Sequence, residues 1–107
     1  MKENENLEKK NEKVVDAVHC EAVVEEHPTR VIIDSGSVSN VASARFLKQI
    51  NRRIDRPSNI SLIGINGKPE RPLGEVKDLN IKIGELNQQV DALVMEKAEY
   101  DLLLGNQ

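Results

Sequence analysis

The run Val31-Ile32-Ile33-Asp34-Ser35-Gly36-Ser37 sets a carboxylate, two hydroxyls and a glycine directly after an apolar segment. A carboxylate at the end of a buried strand is costly unless something holds it there. The cost makes sense where the group does chemistry, because a positioned Asp can take a proton from water or return one to a reacting group. Alone, Asp-Ser-Gly is also ordinary turn chemistry. Asp34 nevertheless stands apart from Asp16, Asp78 and Asp91, which alternate with apolar neighbours as the wet face of a strand does.

A second apolar run, Leu102-Leu103-Leu104, follows Tyr100-Asp101 and stops at Gly105-Asn106. Between the two runs lies the hairpin-like Ile63-Gly64-Ile65-Asn66-Gly67-Lys68. Asn66-Gly67 supplies the two residues of positive φ that a tight hairpin turn prefers. Pro69 and Pro72 then make the return arm unsuitable for a central strand.

Short strands must position these groups. Val14 to Val24 is rich in β-branched residues and partly alternates, as in a strand or hairpin. His27-Pro28-Thr29 is predicted to break it, and Arg30 to Ile33 to form a strand buried on both faces. Ser39 or Asn40 is placed to cap a short helix containing Val41, Phe46, Leu47 and Ile50. Asn51 to Asn59 reads as a loop and Ile60 to Ile65 as a strand. Gly74 and Gly84 bracket a strand with Leu79, Ile81 and Ile83 in alternation, followed by strands at Val90 to Met95 and Leu102 to Leu104. Many short strands with one short helix predict a closed all-β domain. A faint repeat of strand, turn, strand, apolar run and Gly spans Val14 to Gly36 and again Leu79 to Gly105.

The chain has 107 residues, so one domain is expected. Residues 1–13 are almost wholly polar and charged, and are predicted to be a disordered lead, since they offer too little apolar surface to offset ordering entropy. Phe46 and Tyr100 are the only aromatic residues, which leaves the core to Val, Ile, Leu and Ala. The formal net charge of −3 argues against a general nucleic-acid binder. Cys20 is the sole cysteine, so no internal disulfide can form, and His19 and His27 do not complete a metal-ligand pattern. No metal or other cofactor is expected. No apolar run approaches the roughly 18 residues of a membrane span, and the charged N-terminus lacks the apolar core of a signal peptide. An intracellular, cytoplasmic setting without a membrane partner is the expectation.

The two glycine-ended runs and the hairpin between them resemble the retropepsin family, the aspartic proteases of retroviruses and LTR retrotransposons, over roughly residues 14 to 107. The resemblance implies a small closed β-barrel of the acid-protease type. It implies a homodimer in which each copy gives one Asp34, because an isologous interface brings the same residue from both subunits together. A two-lobed pepsin-like enzyme would carry a second Asp where this chain has Leu103-Leu104-Gly105, so the likeness is to the half-size form. Two such carboxylates share one proton and activate a water for hydrolysis of an extended polypeptide substrate, such as a polyprotein. Ser35 matches the hydroxyl that locks the two loops across the dimer axis. Gly36 matches the glycine whose small size and N–H serve the carboxylates. Ser37 would add a hydroxyl donor to a carboxylate, favouring its ionised form. Ile63, Gly64, Ile65, Asn66 and Gly67 match the flap that folds over substrate.

Family members continue past the final Leu-Leu-Gly into a helix and, in retroviral forms, a terminal strand. Gln107 stands at the position where that helix often has Asp or Asn, so the domain is expected to lack both elements. Two other readings stay open on the sequence: an inactive or truncated module of the same fold used for dimerisation or peptide binding, and an unrelated β domain in which Asp34-Ser35-Gly36 is only a turn.

Overall fold

The computed structural model describes residues 17–58, 62–63 and 69–106. The predicted disordered segment 1–13 lies outside them. Eight strands and one helix are described: β1 (Ala17–Val24), β2 (His27–Asp34), β3 (Val41–Ser43), α1 (Ala44–Gln49), β4 (Leu62–Ile63), β5 (Pro69–Glu70), β6 (Gly74–Ile83), β7 (Leu86–Met95) and β8 (Leu102–Leu104). Six strands close into a barrel in the order β1-β2-β8-β3-β7-β6, and β4 and β5 form a separate two-stranded sheet. The closed, mostly β architecture with a short helix is the class the strand pattern predicts. Among the described residues no helix is long and apolar enough to cross a membrane.

The internal repeat is present, but its units differ from the predicted ones. Each unit is a hairpin plus a third strand: β1-β2-β3 and β6-β7-β8. The third strands are exchanged, since β3 runs parallel to β7 and β8 runs parallel to β2, while β3 and β8 pair antiparallel at the centre. The counterpart of β8 is therefore β3, not the Asp34 end of β2. Gly105 does not stand where a second Asp34 would.

The core fills the barrel. Val24, Val31, Val76, Leu79, Val94 and Leu102 are fully buried. In β2, Val31 is buried while Ile33 is 37% exposed. Burial on both faces is the expectation, but the wall of a barrel has only one inner face, and Ile32, on the face opposite Val31, is only half-buried.

The break between the first two strands falls at Glu25-Glu26, and His27-Pro28-Thr29 belongs to β2. Both glutamates have positive φ, 47° and 71°, as a two-residue hairpin turn of the primed type demands. Glycine or asparagine usually fills such positions. Here tertiary contacts hold the turn. The Glu25 N–H donates to Asn80 O at 2.9 Å, the Glu25 carboxylate accepts the Asn80 N–H at 2.7 Å, and Arg52 lies 3.1 Å from it. Pro28 is tolerated because β2 pairs with β8 only from Val31 onward.

Helix α1 begins later than Ser39 or Asn40, because Val41–Ser43 first forms a strand. Ser43 is the cap, its Oγ accepting the Phe46 N–H at 3.0 Å. The helix ends at Gln49 with Ile50 as its cap, followed by Asn51, whose φ is 58°. The Asn51 and Arg52 N–H groups return to Lys48 O and Leu47 O at 3.2 and 2.9 Å, which is the pairing that closes a helix with a left-handed residue. Strand β6 carries an irregularity between Val76 and Leu79. There the Lys77 N–H donates to Asp55 and the Asp78 N–H donates to Asp91, at 2.7 and 3.0 Å. Asp78 and Asp91 are exposed, as alternation predicts, yet Asp91 also holds this kink.

Candidate active site

Parallel pairing of β2 with β8 decides the geometry. Ile33 is opposite Leu104, so the strands finish together and Asp34 and Gly105 emerge at the same end. Asp34 is half-buried at the last position of β2, and Ser35 and Gly36 are exposed beyond it. Asp34 Oδ1 accepts the Gly36 N–H at 2.9 Å. The Ser37 N–H donates to Asp34 O at 3.1 Å and closes the turn. The loop is thus folded about its own carboxylate, a charge-assisted arrangement that fixes the side chain.

The loop is then locked onto the end of β8. A Cβ built on Gly105 would lie 2.6 Å from both Ser37 O and Ser39 O, so only glycine lets the backbones meet there. The Asn106 N–H donates to Ser37 O at 2.7 Å. Asn40, 4% exposed, completes the joint: Oδ1 accepts the Gly105 N–H and Nδ2 donates to Asp91 O, both at 2.9 Å. One buried amide therefore ties the loop following Asp34 to β7 and to the end of β8. From sequence, Asn40 is only a candidate helix cap. No local signal separates the two roles, because the partners lie 51 and 65 residues away.

Ser37 departs from its expected role as a donor to the carboxylate. Its Oγ donates to Ser39 O at 2.9 Å and receives the Ser39 N–H at 3.4 Å, which keeps the hydroxyl within its own turn. Tyr100, which opens the second run, is half-buried. Burial pushes its phenol up from the ordinary value, and the negative charges of Glu70 and Asp34 add to the effect. Leu103 is half-buried in β8, and Leu104 is buried opposite Ile33.

Of the flap candidates, Ile63 pairs with Pro69 and Leu62 with Glu70, the antiparallel base of a hairpin. Gly64, Ile65, Asn66 and Gly67 lie outside the described residues. Among the described residues, no group of three or more His, Cys, Asp or Glu side chains is placed to hold a metal ion.

The family model described as "gag-polyprotein putative aspartyl protease" matches residues 20–107. No curated protein sequence matches the chain. Among solved structures, the retroviral protease-like domain of Ddi1 from Leishmania major aligns with a TM-score of 0.67 at 13% identity, covering 84% of this chain and 72% of that one. The EIAV protease, solved with the inhibitor HBY-793, aligns with a TM-score of 0.67 at 16% identity, over 83% and 81% of the two chains. A retropepsin-like aspartic protease from Rickettsia conorii gives 0.64 at 14% identity, over 83% and 67%. At such identities the structural likeness speaks for the fold. Together with the family match across the barrel, it leads to one assignment: this chain belongs to the gag-polyprotein aspartyl protease family and has the retropepsin-like fold.

Proposed function

We propose that the protein is an aspartic endopeptidase that works as a homodimer, with Asp34 from each copy forming the catalytic pair. The observation that carries this reading is the Asp34 turn: a half-buried carboxylate at a strand end, held by the Gly36 N–H at 2.9 Å, in a loop locked against Gly105. A rigid loop of this kind supplies one carboxylate per chain. The chemistry needs two, and a twofold axis beside the loop supplies the second.

In the dimer the two Asp34 groups share one proton, because like charges about 3 Å apart do not both ionise; that spacing is the reference value for aspartic proteases, not a measurement on this chain. The ionised carboxylate takes a proton from a water held between the pair, and the water oxygen bonds to the scissile carbonyl carbon. The protonated partner donates to the carbonyl oxygen. Return of a proton to the peptide nitrogen releases the amine as the C–N bond breaks. Gly36 keeps the approach open, since a Cβ there would press on Asp34 Oδ1 at 3.3 Å. Ser35, exposed beside it, bonds across the axis to the partner loop. The substrate is an extended segment of an intracellular polyprotein, lying between the Asp34 loops and the hairpin that starts from β4 and β5.

Cleavage of an unstructured polypeptide tests the reading. Asp34→Asn removes turnover with the fold retained, and an excess of the Asn chain suppresses the wild type, because a mixed dimer holds a single carboxylate. Activity rises faster than linearly with protein concentration. Turnover by the Asn variant, or a strictly linear dependence at all concentrations, would refute the scheme.

A further inference from the structure

A groove of about 560 Å³ lies between α1, the loop after it and the turn into β6. No residue of the Asp34 loop lines it. Its floor includes Leu47 and Val94, which belong to the core. Two further apolar side chains in the lining, Ile54 and Leu73, are 39% and 47% exposed. Ile54 Cγ2 sits on Gly74, in the space that a Cβ there would fill, so Ile54 is seated next to Leu73 by backbone contact. Together they make an ordered apolar surface.

The charge around this surface is of one sign. Arg45, Lys48, Arg52 and Arg53 line the groove against a single acid, Glu96. Arg52 is committed to Glu25 and Asp55, at 3.1 and 3.4 Å. Among the described residues Arg45 has only a long ion pair with Asp101 at 3.8 Å, and 65% of its side chain is exposed. Lys48 and Arg53 are exposed and make no ion pair among the described residues. In a chain of net charge −3 this is a local reversal of sign.

We propose that this groove docks an acidic peptide segment that sets an apolar side chain against Ile54 and Leu73 and its carboxylates against Lys48, Arg53 and Arg45. Apolar contact at the centre supplies buried area, and the cationic rim supplies orientation and rejects basic partners. A nucleic acid fits less well, because the lining holds no aromatic side chain on which a base could stack. The inference is independent of the role given to Asp34, and its readout is binding, not cleavage.

Fluorescence anisotropy of a short labelled peptide of repeating Leu-Glu-Glu, titrated with the full chain, tests it. Parallel probes are repeating Ser-Glu-Glu, repeating Leu-Lys-Lys and a single-stranded oligonucleotide. The Leu-Glu-Glu peptide is expected to bind best and to weaken at high salt. Its affinity should fall roughly tenfold in the double variant Lys48→Glu/Arg53→Glu, as two rim charges are reversed, and also fall in Ile54→Ser. All three positions are exposed, and circular dichroism is the check that each variant is folded. Absence of saturable binding, binding unchanged in these variants, or tighter binding of the oligonucleotide overturns the proposal. So does self-association of the wild type that these substitutions abolish, which would make the occupant a second copy.

Discussion

Replacing Gly105 with Ala tests whether the close approach of β8 to the Asp34 loop holds the site together. The added Cβ falls 2.6 Å from Ser37 O and from Ser39 O, where ordinary contact begins at 3.4 Å. Both obstacles are backbone, so no side chain can rotate away, and the two carbonyls must retreat by about 0.8 Å. Overpacking of this kind costs about 1–3 kcal/mol. The retreat also stretches the bonds from Asn106 N to Ser37 O and from Gly105 N to Asn40 Oδ1, 2.7 and 2.9 Å long, each worth about 1 kcal/mol. The total, about 3–5 kcal/mol, is a large share of the stability of a small domain and corresponds to a drop in Tm of roughly 12–40 °C. Gly84→Ala is the control. Gly84 has a φ of 59° with nothing within 4 Å of its virtual Cβ, so only the left-handed backbone resists, at about 1 kcal/mol. Urea unfolding followed by circular dichroism, at fixed protein concentration, reads both. A Gly105→Ala variant within about 0.5 kcal/mol of wild type, or one less affected than Gly84→Ala, refutes the reasoning.

Asn40→Ala leaves the Gly105 N–H and the Asp91 carbonyl without their partner, and is expected to cost about 1–3 kcal/mol by the same urea assay. Glu25 gives a pH signature: burial raises its pKa, but hydrogen bonds from Asn80 and Arg52 and the charge of Arg52 outweigh it and bring the group below its ordinary value. Its contribution to stability is therefore complete above the unfolded pKa and disappears as pH falls through the folded one. Glu25→Gln should accordingly be less stable than wild type near pH 7, with the gap closing in acid; a gap independent of pH contradicts the pairing. Ser37→Ala removes a bond inside the turn, so it should cost about 1 kcal/mol and leave the pH–rate profile in place. An upward shift of the acid limb would mean that the hydroxyl turns to the carboxylate in the assembled enzyme.

Much of the fold could be read along the chain because it rests on local pattern. Leu79 and Ile81 alternate with polar neighbours and face the core of β6, and β7 and β8 fall on the predicted apolar runs, with β7 beginning earlier, at Leu86. The first hairpin was misplaced because its turn carries no glycine or asparagine. Glu25 and Glu26 take left-handed conformations that Arg52 and Asn80 support from distant segments. The helix start was misplaced because Ser39, Asn40 and Ser43 are all competent caps, and only the pairing of Val41–Ser43 with β7 and β8 selects the last.

What the sequence by itself determined is the chemistry on offer: one Asp-Ser-Gly turn at an apolar strand end, a second apolar run stopping at glycine, and a composition that leaves the core to aliphatic residues. What only the tertiary structure decided is which atoms meet. Parallel pairing of β2 with β8 brings Asp34 and Gly105 to the same end, Asn40 joins segments far apart in the chain, the Ser37 hydroxyl turns into its own loop, and Ile54 settles on Gly74 beside a cationic rim. The reason is physical. Strand and turn preferences act over a few residues, whereas a hydrogen bond or a steric contact between distant segments exists only once the barrel has closed around them.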